Sequence, residues 1–154
     1  MSTFLPESLA GKWSGTSQLY FEGDVFASAS TAQIQIEEQG QFISLSYTWK
    51  FETQAQDGRI IFQTKLGEDP TRAVWLDSWH VKRDIMVCQA TQNQAGTILL
   101  RGSYPFPPGP DWNWRIEIST TSTGLLLIRM FNISPNGLEA LAVSAQYWRI
   151  AASA

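Results

Sequence analysis

One cysteine and one histidine stand among 154 residues. A single cysteine excludes an internal disulfide and any metal site built from several thiolates. A single histidine does not make a zinc site by itself. Charge is sparse and close to balanced, with 11 Lys+Arg against 14 Asp+Glu and a net charge of -3. There is no basic run, so nucleic acid is not an expected partner. The longest apolar runs, such as GLLLI at 124–128, are far too short for a membrane-spanning helix. Residues 1–10 (MSTFLPESLA) lack the basic start and long apolar stretch of a signal peptide, so a cytoplasmic location is expected. G-x-S-x-G elbows, P-loops and dinucleotide fingerprints are all missing, and Ser78 and Ser103 lack a defined base. The length predicts one domain over 1–154, large enough to bury a core.

What is present is period-two alternation along nearly the whole chain. In FISLSYTWKF, Ile43, Leu45, Tyr47, Trp49 and Phe51 share one face, and Ser44, Ser46, Thr48 and Lys50 share the other. In DWNWRIEIS, Trp112, Trp114, Ile116 and Ile118 alternate with Asn113, Arg115 and Glu117. This is the pattern of antiparallel strands with one dry and one wet face. Turn signals such as Glu22-Gly23-Asp24, Asp57-Gly58 and Pro135-Asn136-Gly137 separate the runs. The reading gives about ten strands, near 11–21, 29–38, 41–52, 58–66, 73–81, 84–91, 97–104, 112–120, 124–132 and 138–150. Only residues 3–10 have room for a helix, and a short one. Ten hairpin-linked strands must hide their edges, and closing into an up-and-down barrel does so. A two-sheet sandwich is the second choice, because its connections usually include longer loops.

Gly11-Lys12-Trp13 resembles the G-x-W start of the calycin superfamily, the lipocalins and fatty-acid-binding proteins. WLDSWHVKRDIMVC, GSYPFPPGPDWNWRI and IRMFNISPNGLEALAVSAQYWRI resemble a bacterial domain-of-unknown-function family with a ten-stranded, fatty-acid-binding-like barrel. That resemblance implies a single calycin-like barrel and little about activity. The chain is also similar, more distantly, to nitrobindin-type haem barrels, whose iron ligand is a histidine near the C-terminal strands. No histidine follows His80 here, so haem is not expected and no cofactor is predicted. In fatty-acid-binding proteins an Arg and a Tyr two apart on the last strand hold a ligand carboxylate, which the resemblance transfers to Tyr147 and Arg149. In lipocalin-like barrels an arginine of the last strand instead packs over the G-x-W tryptophan, here Arg149 over Trp13. The second role is preferred for Arg149.

The densest stretch is AVWLDSWHVKRDIMVC, residues 73–88, with two tryptophans, Asp77, His80 and Cys88. Cys88, between apolar residues, reads as a buried inert thiol. Asp77 and His80 suggest an acid–base pair. Residues three apart on a regular strand point to opposite faces, which argues against the pair unless a bulge intervenes. Asp77 shares strand parity with Trp75 and Trp79. If that face is the interior, the carboxylate needs a partner, and Arg101, Arg129 and Arg149 are the candidates. His80 alone reads as a wall or strand-end residue. Arg129 shares parity with Leu125, Leu127 and Phe131 and is the expected anchor for a ligand head group on an apolar wall. Trp49, Trp112 and Trp114 are the expected cavity lining. YPFPPGPDW either rims the mouth or crosses the barrel end.

The function expected is binding of a small hydrophobic or amphiphilic molecule inside a barrel cavity, by Arg129, Tyr147, Arg149, Asp77, Trp49, Trp112 and Trp114. One alternative is an enzyme using Asp77 or His80 as acid or base. Another is a ligand-free barrel that binds partners, including a second copy as a homodimer, through an outer aromatic patch.

Overall fold

The computed structural model describes residues 6–151. Ten antiparallel strands form one closed barrel: β1 (Gly11–Phe21), β2 (Asp24–Glu37), β3 (Phe42–Phe51), β4 (Gln54–Gln63), β5 (Thr71–Asp77), β6 (Met86–Gln92), β7 (Ile98–Tyr104), β8 (Trp112–Thr120), β9 (Leu126–Ile133) and β10 (Glu139–Arg149). Each strand pairs with its sequence neighbours, and β1 pairs with β10 to close the ring. This is the all-β, up-and-down barrel that the alternation predicts, with no edge left unpaired. Among the described residues the one helical segment is a 3-10 turn, Pro6–Leu9. It lies within the expected 3–10 stretch, whose first three residues are outside the described residues.

The observed β1 and β8 have the bounds read from alternation, and several others differ. β2 starts at Asp24 rather than 29, and β4 at Gln54 rather than 58. The chain reverses at Glu52 and Thr53, with Glu52 at a φ of 57°. Asp57-Gly58 is therefore not a turn but the middle of β4, where Gly58 stands opposite Tyr47. A Cβ at position 58 would lie 2.2 Å from the Tyr47 ring. The glycine makes room for that ring.

The inward side chains make a continuous apolar core, including Ile43, Leu45, Ile60, Ile98, Ile116 and Leu126, each fully buried. Burial of each such side chain is worth about 1.5–3 kcal/mol. The two ends of the barrel differ. At one end the 3-10 turn plugs the opening with buried Leu9. Trp13 Nε1–H donates to the Leu9 carbonyl at 2.9 Å. Arg149 lies over the Trp13 ring at 4.4 Å and donates to the Ser8 and Ala10 carbonyls at 2.7 Å each. Nearby, β1 and β10 approach so closely that a Cβ on Gly15 would sit 1.8 Å from the Gln146 carbonyl oxygen. The opposite end, where β1, β7 and β9 finish and β6, β8 and β10 begin, has no such plug among the described residues and opens into a cleft.

Candidate functional site

The site is built around the end of β5. The strand stops at Asp77, and residues 78–83 form a turn. Asp77 Oδ1 accepts the backbone N–H groups of Trp79 at 2.8 Å and His80 at 2.7 Å. A short acidic side chain capping the following N–H groups is a standard way to bend a chain out of a strand. The Asp77 carbonyl accepts the N–H groups of Val81 and Lys82, which tightens the same turn. This folding back carries His80 to the same side as Asp77. Its Nδ1 lies 3.1 Å from Asp77 Oδ1. The expectation that the two residues face opposite ways is corrected, because strand parity no longer applies once the strand has ended.

Asp77 is buried, 3% exposed. Its second oxygen accepts the Tyr47 hydroxyl at 2.6 Å, and Trp75 Nε1–H donates to that hydroxyl at 2.9 Å. Burial pushes the carboxyl pKa up, but the His80 ring, the Tyr47 hydroxyl and the His80 backbone N–H outweigh it. The net effect holds Asp77 below the ordinary aspartate value. Burial, then the neighbouring Asp77 charge and its hydrogen bond, push the Tyr47 phenol well up. An ionised Asp77 accepts only, so the proton between the two side chains sits on His80 Nδ1. This orients the ring and leaves Nε2 as its free end, the arrangement a carboxylate gives to a general base or to a binding histidine.

Four indole rings surround His80. The centroids of Trp49, Trp75, Trp79 and Trp114 lie 5.7, 5.7, 4.8 and 5.3 Å from the imidazole. Trp75 and Trp114 stack at 5.0 Å with 15° between planes. His80 Nε2 and Trp114 Nε1 are buried and have no hydrogen-bond partner among the described residues. Below them, between Trp49, Tyr147 and Met130, lies an internal cavity of about 20 Å³. This is room for about one water molecule. Above them is the open cleft, about 620 Å³, bounded by Phe21, Trp79, Met86, Tyr104, Pro105 and Asn132 with His80, Trp75 and Trp114 at its base. Among the described residues no cluster of three His, Cys, Asp or Glu side chains could hold a metal ion.

The family profile described as "Protein of unknown function (DUF1579)" matches residues 5–149. The chain belongs to this family. No curated protein matches the chain. Two solved structures show the same fold as this family member. The S-type phycobiliprotein lyase CPES from Guillardia theta is 15% identical, with 96% of this chain and 92% of that chain covered and a TM-score of 0.64. Rv2717c from M. tuberculosis is 12% identical, with 93% of each chain covered and a TM-score of 0.58. At such identities the likeness is one of fold.

The remaining predicted residues of this DUF1579 member scatter. Arg129 is exposed, on the outer face between inward Ile128 and Met130. It cannot anchor a ligand inside the barrel, which corrects that expectation. Leu125, Leu127 and Phe131 form a half-buried outer stripe that imitates an interior wall. Arg101 and Arg129 are exposed, Arg149 lies across the plugged end, and none meets Asp77, whose side-chain partners are His80 and Tyr47. Arg149 closes the plugged end over Trp13. Tyr147 is buried, and its hydroxyl lies 2.7 Å from Ser30 Oγ. The two therefore do not act together on one ligand. Trp49 and Trp114 are buried beside His80, whereas Trp112 is half-buried and packs on Phe106 at 5.3 Å. Sequence reasoning missed Tyr47 as a site residue. The glycine opposite it, at 58, is the signal that a ring occupies that rung.

Proposed function

We propose that this barrel binds a small apolar or amphiphilic molecule in the cleft at its open end. The observation that carries the reading is the contrast between the two spaces. The cleft measures about 620 Å³ over a base of aromatic rings, whereas the interior beneath it holds only about 20 Å³. Binding sites for small molecules usually span roughly 300–1,000 Å³ and combine aromatic walls with a few polar groups. The ligand thus sits at the mouth, above His80, rather than deep in the barrel. No prosthetic group is invoked. The fold likeness to a phycobiliprotein lyase supports the reading only at the level of architecture.

The test is a native mass spectrum of freshly purified protein set against its denatured mass, followed by titration with fatty acids, retinoids, bilins and haem. A non-covalent adduct or saturable 1:1 binding is expected. Absence of binding across the whole panel by folded protein would sink the proposal. A second reading, catalysis, is favoured by one observation, the 3.1 Å contact that fixes His80 on Asp77. It predicts turnover of a bound molecule that collapses in His80→Ala and Asp77→Asn while binding persists.

A further inference from the structure

Two residues that line the cleft, His80 and Trp114, carry unpartnered ring nitrogens of opposite character, and His80 also lines the internal cavity. Trp114 Nε1 is a donor only. His80 Nε2 is an acceptor in the neutral ring, because Nδ1 carries the proton held by Asp77. The two rings lie 5.3 Å apart, and both atoms are buried without a hydrogen-bond partner among the described residues. The His80 side chain is 10% exposed and Trp114 is 6% exposed. Both residues line the cleft. A buried polar atom left unpaired is costly, so a ligand that satisfies both gains what the free protein lacks.

We infer that this pair recognises a neutral head group carrying a donor and an acceptor close together, an alcohol, phenol or lactam, on a flat apolar body. Both atoms are covered in the free protein, so the rings around them part as the ligand enters; the hydroxyl or amide N–H then donates to His80 Nε2, and the oxygen accepts from Trp114 Nε1–H. The apolar body lies against Trp79, Met86 and Tyr104 in the cleft. A carboxylate is disfavoured: it brings a second negative charge next to Asp77, and an acceptor to face the His80 lone pair. The hydrogen bonds from Trp75 to Tyr47, from Tyr47 to Asp77 and between His80 and Asp77 hold the imidazole in place.

This inference rests on the cleft being a binding site, and the experiment separates the two. Four probes share one body: 2-naphthol, 2-methoxynaphthalene, 2-naphthoate and naphthalene. Their affinities for the full chain are measured by calorimetry and tryptophan fluorescence. 2-Naphthol is expected to bind about tenfold more tightly than 2-methoxynaphthalene, the penalty for leaving one buried acceptor unpaired. 2-Naphthoate is expected to be weaker than 2-naphthol. Trp114→Phe keeps a ring in the stack with Trp75 but removes the donor, and His80→Phe removes the acceptor. His80→Phe is expected to erase the preference for 2-naphthol over 2-methoxynaphthalene, whereas Trp114→Phe is expected to weaken these two oxygen-bearing probes about equally relative to naphthalene, whose binding stays. Equal affinities for all four, tightest binding of 2-naphthoate, a preference over 2-methoxynaphthalene that survives in folded His80→Phe, or an unchanged advantage of 2-naphthol over naphthalene in folded Trp114→Phe overturns the head-group inference and leaves the cleft reading intact. Failure of every naphthalene probe to bind overturns the head-group inference, and failure of the fatty acids, retinoids, bilins and haem as well overturns both. Should His80→Phe not fold, Trp114→Phe decides the matter through the affinity of 2-naphthol relative to naphthalene.

Discussion

At the scale of single residues, Asp77 is the most demanding position. It accepts four hydrogen bonds, from Tyr47, from the backbone of Trp79 and His80, and from the His80 ring. Its pKa is lowered from 3.8 in spite of burial. A carboxyl depressed in the folded state adds stability above its unfolded pKa and loses it as pH falls through the folded value. Wild type should therefore lose stability on acidification below about pH 4, by roughly 1.4 kcal/mol for each unit of depression. Asp77→Asn should cost about 2–4 kcal/mol at neutral pH, with the gap to wild type narrowing in acid. Urea unfolding of both proteins at pH 7, 4 and 3 checks this. A gap independent of pH would refute the linkage. Cys88 is the contrasting case. It is buried, and desolvation pushes its thiol up to about 11. Thiol reagents at pH 8 should label it only after unfolding, which a time course with and without denaturant reads directly. Residue-scale expectations failed where both faces of a strand are apolar. Around Arg129, Leu125, Leu127 and Phe131 on the outside mimic Leu126, Ile128 and Met130 on the inside. Period two shows that a strand is there, but in such a run it does not say which face is in.

At the scale of elements, alternation located all ten strands because nearly every one has a single dry face. It misplaced the end of β5 because Trp75, Asp77 and Trp79 share parity and no glycine or proline marks where the strand stops. The stop comes from Asp77 capping the next N–H groups, a local hydrogen bond that competes with the ladder. The candidate site was half legible for the same reason. Asp77, His80, Trp49 and Trp114 stand out in the sequence, but their meeting depends on the turn. Gly58 shows the converse error, since a glycine beside an aspartate reads as a hairpin when the constraint is the Tyr47 ring across β3 and β4. Gly58→Ala should displace that ring and loosen its 2.6 Å bond to Asp77. The expected loss is about 1–3 kcal/mol, typical of overpacking, measured by thermal unfolding. Near-ultraviolet circular dichroism should change with it, because the Tyr47–Trp75 contact moves. An unchanged melting temperature would mean the ring has space to retreat.

At the scale of the whole molecule, the barrel divides its labour between its ends. Arg149, Trp13 and Leu9 seal one end, and the other keeps the cleft. Arg149→Ala removes the cation–π contact and two hydrogen bonds to backbone carbonyls. It should lower stability by about 1–3 kcal/mol while ligand affinity at the opposite end stays unchanged. Parallel melting and binding measurements check that separation. The β1–β10 closure has one more consequence. Trp13 and Arg149 stand on the same rung, so the first and last strands begin and finish side by side. The order in which the chain runs round the barrel is therefore arbitrary. A circular permutant, with a short bridge across the sealed end and new termini cut at the exposed Ser122–Gly124 turn, keeps every rung and the whole cleft. Such a rewired chain would leave the cleft end free of engineered ends and make that face the natural one to evolve as a reader of flat molecules.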